Sequence, residues 1–144
     1  MVSTAAPCRT TKSLLYAWLL ATLLSGTPST LYALLTGGDV MEATRAAGAM
    51  VGRPDSIIAA ATVHFAVSAF WALLLWWLLP YRRTPLWAVL ASAGIAVLDL
   101  KLIAPLLFPE VAALAFWPQF ADHLMWGACY SVGLSLARPR ATRP

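Results

Sequence analysis

A chain of 144 residues that is 60% hydrophobic and only 11% charged cannot cover a water-facing surface with polar groups, so its composition selects an integral membrane protein. The net charge of +4 would suit a nucleic-acid partner in a soluble domain, but here Lys and Arg flank apolar runs, where they set orientation. At about 20 apolar residues per crossing, the length holds four spans with short connections, leaves no room for a separate soluble domain, and argues against nucleic acid as a partner.

The first apolar segment covers residues 14–36. Within it Pro28 removes a backbone donor and frees the carbonyl of Leu24, so a kink is expected there. The hydroxyls of Ser25, Thr27, Ser29 and Thr30 stand ready to satisfy the loosened backbone. A cleavable signal peptide is the competing reading, with Leu14 to Leu24 as its apolar region and Ser25-Gly26-Thr27 as its cleavage site. The apolar pattern resumes at Leu31 to Leu35, which favours a complete span. A short interfacial helix is predicted over 39–51, with Asp39 as N-cap, Glu42 as its reciprocal partner and Gly52 as the stop; an ordered loop is the alternative. Three further spans are predicted at 57–79, 85–108 and 118–137, and the tails 1–11 and 138–144 read as flexible. The fold expected is therefore all-α, a four-transmembrane-helix bundle with a short periplasmic interfacial helix after the first span.

Orientation follows from charge. One side of the four spans carries Arg9, Lys12, Arg82, Arg83, Arg138, Arg140 and Arg143 and no acid, whereas the other carries Arg45 and Arg53 against Asp39, Glu42, Asp55 and Glu110. The basic side belongs in the cytoplasm, which puts both termini there and implies a bacterial inner membrane. Trp18, Trp76, Trp77, Tyr81 and Trp87 cluster near that interface, with Trp117 near the opposite one.

Polar residues within the spans fall at one depth. Counted from the outer ends at about 1.5 Å per residue, His64 and Lys101 lie roughly 10 Å in, Pro28 roughly 12 Å, Asp99 roughly 13 Å, and Asp122 and His123 roughly 6 to 8 Å. Ionisable groups facing lipid cost several kcal/mol, so these side chains should converge on the bundle interior and form a pocket open to the periplasmic side. The binding residues expected are His64, Asp99, Lys101, Asp122, His123, Gln119, Thr27 and Ser29. His64, Ser68 and Trp71 share one helical stripe, as do Gln119, His123, Trp126 and Tyr130. The preferred arrangement has Asp99 accepting a hydrogen bond from His64 or His123. Lys101, two residues from Asp99 and on the opposite face, is expected to extend outward or to pair with Asp122. A network that only locks the bundle is the structural alternative for the whole cluster.

Small-residue stripes, Gly127-Ser131-Ser135 and Ala88-Ser92-Ala96, read as sites of close helix approach. Cys8 and Cys129 read as ordinary thiols too far apart to pair, Cys129 as a packing residue. No haem-attachment, metalloprotease, nucleophile-elbow or phosphate-loop motif is present in the sequence. No cofactor or metal is predicted; haem b held by His64 and His123 is the alternative.

The runs TPSTLYALLTGGD, EATRAAGAM, HFAVS, LDLKLI and WPQFADHLMWG resemble a group of small bacterial four-span inner-membrane proteins. The resemblance covers most of the chain and implies no activity, cofactor or catalytic residue. Two functional classes remain as expectations. One is a non-enzymatic protein that binds or passes a small solute or a proton, or serves as a homo-oligomer or small subunit of a larger membrane complex. The other is an intramembrane enzyme or redox protein using His64, His123 and Asp99.

Overall fold

The computed structural model describes residues 10–78 and 84–136. Arg9, Tyr81, Arg82, Arg83, Arg138, Arg140, Arg143, Cys8 and nearly all of both predicted tails lie outside the described residues. Within them the chain is helical, with no strand.

The first apolar segment forms two helices, α1 (Thr11–Leu24) and α2 (Thr27–Thr36). Thr10 caps α1 through a reciprocal box with Ser13, so helix begins inside the segment expected to be a flexible tail. α2 ends at Gly37, whose φ of 69° suits a residue without Cβ. α3 (Glu42–Ala49) is shorter than the interval 39–51. Asp39 is not its N-cap: the carboxylate accepts from Met41 N at 2.8 Å and pairs with Arg45, closing a turn ahead of the helix. Because Asp39 is engaged there and Met41 takes the cap position, the reciprocal bond to Glu42 is not made. Gly52, with φ 70°, does end the segment, as Arg53 N reaches back to Gly48 O at 2.9 Å.

α4 (Ile57–Leu78) is one uninterrupted helix. α5 (Thr84–Leu98) passes into a π-helical segment, Asp99–Ile103, and then into the short helices α6 (Ala104–Leu107) and α7 (Pro109–Ala112). α8 (Phe116–Leu136) closes the fold. Three stretches, Thr11–Thr36, Ile57–Leu78 and Pro85–Leu107, are long and apolar enough to cross a membrane. α8 has comparable length at 21 residues but carries Gln119, Asp122 and His123 in its first half, which lowers its apolar average.

Packing is the reverse of a water-soluble core. Ala17, Ala21, Ala72, Ala88 and Ala96 are 0–1% exposed, whereas Leu35, Ile58, Trp77, Leu106 and Leu136 are each more than 70% exposed. Small residues inside let backbones touch, and large apolar ones outside suit a surface meant for lipid tails. α8 packs against α1, α2 and α5, and α1 packs also against α4. At Gly133 a Cβ would come within 2.5 Å of Ala17 Cα, and at Gly127 it would strike Ser92 Oγ, with Ala88 O at 2.8 Å. The small-residue stripes thus meet where Gly127 of α8 lies against Ala88 and Ser92 of α5, whereas Ser135 is exposed. Cys129 is buried in the same core. α4 and α5, by contrast, do not pack closely among the described residues, and α3 lies against both α4 and α7 at one end of the space between them.

Candidate functional site

Pro28 creates the first element of the site. It cannot donate to Leu24 O, and Thr27 Oγ1 takes that carbonyl instead, at 2.8 Å. The helix therefore restarts at α2 with a fresh set of unpaired backbone N–H groups inside the bundle. One is met from across the fold: Ser29 N donates to Asp122 Oδ1 of α8 at 2.9 Å. Ser29 is the third residue of α2, so Asp122 does for this helix what an N-cap side chain ordinarily does, with its negative charge at the positive end of the helix dipole.

Pro105 creates the second element. Its ring would press on the carbonyl of Lys101, four residues back, and the π segment widens the helix just ahead of it, with Ala104 N donating to Asp99 O. Asp99 opens this widened turn and meets α8, where His123 Nε2 lies 3.4 Å from Asp99 Oδ2. The other ring nitrogen, His123 Nδ1, lies 2.8 Å from Gln119 O. A carbonyl only accepts, so Nδ1 carries a proton. The Nε2 contact then needs a second proton, whether on the ring or on the carboxyl, and the pair as a whole is neutral while holding it.

A hydroxyl chain forms the floor. Trp126 Nε1 donates to Ser68 Oγ at 2.8 Å, Ser68 and Thr22 oxygens lie 2.5 Å apart, and Thr22 Oγ1 donates to Trp18 O at 2.7 Å. Each hydroxyl has one proton, an indole only donates and a carbonyl only accepts, so the direction is determined: Trp126 to Ser68 to Thr22 to Trp18. The chain ties α8, α4 and α1 together. Next to it His64 Nε2 donates to Thr22 O at 2.9 Å, leaving Nδ1 without a partner among the described residues. Tyr130, stacked on Trp126 at 5.2 Å, donates to Ala72 O.

Ser68 and Trp126 of this hydroxyl chain, with His64, line a partly open cleft of about 670 Å³ that touches α2, α3, α4, α5, the π segment and α8, while Thr22, Trp18 and Tyr130 lie behind it. Of the residues singled out in the sequence, His64, Asp99, Gln119, Asp122, His123 and Ser29 line it. Thr27 does not, because its hydroxyl is spent on Leu24 O. Lys101 does not either: it is exposed, and its Nζ sits 4.3 Å from the centroid of the Phe116 ring. It extends outward and makes no pair with Asp122, since the half-turn between Asp99 and Lys101 sends the two apart. Asp99 meets His123 and not His64, whose ring is held by the broken first segment. Using His123 as an axial haem ligand would require surrendering the Asp99 or the Gln119 contact, and among the described residues no three of His, Cys, Asp and Glu gather as a metal-ligand set. Thr22 is the participant that the sequence reading passed over, hidden in the run from Leu14 to Leu24. The signal was there, since Trp18, Thr22, Ser25 and Ser29 recur at intervals of four, three and four, one helical stripe.

Compared with protein-family models, curated proteins and solved structures, the chain matches none.

Proposed function

We propose that this is a four-span protein of a bacterial inner membrane, with cytoplasmic termini, that binds a small solute or a proton in a cleft in the outer half of the bilayer. The observation that carries the reading is the convergence of Asp122 with Ser29, Asp99 with His123, and His64 on one cleft, each engaged in a hydrogen bond between helices. A network whose only task was to lock the bundle would close on itself, whereas this one leaves a volume of about 670 Å³ beside its polar atoms. Irregular backbone within apolar segments is tolerated where it borders a cavity, and both helix breaks border this one. α8 counts as the fourth span because it lies alongside α1 and α5 over its length and turns its polar half inward. α3 then lies at the periplasmic surface.

Four helices enclose little space, so transport, as opposed to binding, calls for an oligomer or a larger complex. Gentle solubilisation followed by native mass spectrometry is the direct test: a retained small molecule or lipid, lost in Asp122→Asn, is expected. A bare chain in both forms would overturn the reading. For the topology, reporter fusions after Arg83 and Arg138 should report the cytoplasm and one near Glu110 the outside. The reverse pattern would move the cleft to the inner half.

A further inference from the structure

The cleft has a charge character that its depth alone does not require. Its lining includes the carboxylates Asp99 and Asp122 at depth and Asp39 and Glu42 at the α3 end, but no Lys or Arg among the described residues. The two cations nearest by sequence are both engaged: Lys101 rests on Phe116 outside the cleft, and Arg45 pairs with Asp39 at the rim. Asp39 therefore adds no net charge, and the carboxylates that count are Asp99, Asp122 and Glu42. The remaining walls are largely apolar, with Phe70, Trp71, Phe108 and Trp126 among them. At the floor, Ser92 is 1% exposed and its Oγ has no hydrogen-bond partner among the described residues. Aromatic surface, carboxylates and an absence of competing ammonium or guanidinium groups describe a receptor for positive charge on an apolar body.

The way in follows from the packing. α3 lies across the end of the gap between α4 and α7, while α4 and α5 do not pack closely alongside it. The sides of that gap carry apolar residues, Val67 and Phe70 on α4 and Ile103 on the π segment. A ligand reaching the cleft between these two helices comes from the bilayer, so it must itself partition into lipid.

We propose that the cleft selects a hydrophobic organic cation, which enters from the bilayer between α4 and α5 and takes the place of the proton held between Asp99 and His123. This rests on the reading of the cleft as a ligand site. The charge balance closes: the Asp99–His123 pair is neutral with its proton, and losing that proton while gaining a monovalent cation leaves it neutral. His123 keeps the Nδ1 proton it donates to Gln119 O. The other titratable groups facing the cleft among the described residues are Tyr32 from α2, His64 from α4, Asp122 from α8, Glu42 from α3 and Asp39 from the turn before it. Of these, Asp122 supplies a second negative contact and His64 offers Nδ1.

The test uses two ions of the same shape and opposite charge, tetraphenylphosphonium and tetraphenylborate, with the full chain in lipid nanodiscs. Trp71 and Trp126 report occupancy by fluorescence. Saturable binding of the phosphonium alone is expected, with about one proton released per cation into weakly buffered solution. Asp122→Asn keeps an oxygen for Ser29 N, so it preserves the helix start while weakening phosphonium binding about tenfold. Glu42→Gln, on the exposed rim and outside every hydrogen bond described above, should weaken it less and leave folding untouched. Equal saturable binding of both ions, or binding of the borate alone, would leave a ligand cleft but overturn its selection of cations. Phosphonium binding with no proton release would overturn the exchange at Asp99 and His123. Binding of neither ion would remove this inference, while a different molecule retained in native mass spectrometry would still uphold the cleft as a ligand site.

Discussion

Where α1 begins and α8 ends, helices meet through small residues, Ala17 against Gly133 and Ala88 against Gly127, and no backbone is broken. Where α2, α3, the π segment and the start of α8 lie, the same bundle is interrupted twice, carries every ionisable group of the cleft, and encloses open volume. In the first region only short side chains fit between the helices, Ser13, Ser92 and Ser131 among them, and stability comes from fit. In the second, Pro28 releases backbone groups that Thr27 and Asp122 satisfy, and the π segment ahead of Pro105 widens its helix. The two regions join at Ser92, which packs against Gly127 on one side and lines the cleft on the other.

The largest effect should come from breaking the closed region. Gly133→Leu drives a side chain into Ala17 and the backbone of Tyr16, and a loss of about 3 kcal/mol is expected from thermal unfolding in detergent micelles. If stability is unchanged, α1 and α8 do not approach as described. Ser68→Ala should cost less, about 2 kcal/mol, since it strands the Trp126 indole and breaks the link to Thr22. Combined with Trp126→Phe the cost should fall short of additive, and strict additivity would show that the two do not share one chain.

Asp122 separates the structural and electrostatic roles of the open region. Asp122→Ala removes the acceptor for Ser29 N and should cost about 1 kcal/mol, whereas Asp122→Asn should be close to neutral in stability. Equal losses would mean that charge, and not the acceptor, holds the start of α2.

The smallest effect lies at the surface. Arg45 beside Asp39, together with the Met41 N–H, holds the Asp39 carboxyl below its ordinary value. A lowered folded value means that its contribution is present above the unfolded pKa of about 4 and is lost as pH falls through the folded one. The pair is fully exposed, so solvent screens it and the change in overall stability should be negligible. Carboxyl NMR should nevertheless show the Asp39 titration moving upward in Arg45→Ala, and an unmoved midpoint would dissolve the pair.

Much of this was legible in the residues. Apolar runs bounded by Arg and Pro mark the long helices, Pro28 marks the break after Leu24, and Gly52 marks the end of α3, because each acts on the backbone next to it. Helical spacing sorts His64, Ser68, His123 and Trp126 onto inward stripes for the same local reason. The π segment was not legible. Pro105 announces a disturbance, but whether a helix kinks, breaks or widens depends on what packs beside it.

By itself, the sequence determined that this chain is helical and apolar and that its first long apolar segment breaks at Pro28. Tertiary structure alone decided the partners: that Asp99 meets His123 while His64 turns to Thr22, that Asp122 caps a helix 93 residues away in the chain, and that Lys101 rests on Phe116. The physical reason is range. Backbone conformation and burial follow from neighbours within a turn or two, but a hydrogen bond between helices depends on their rotation and separation, set by Gly127, Gly133 and the small residues they face.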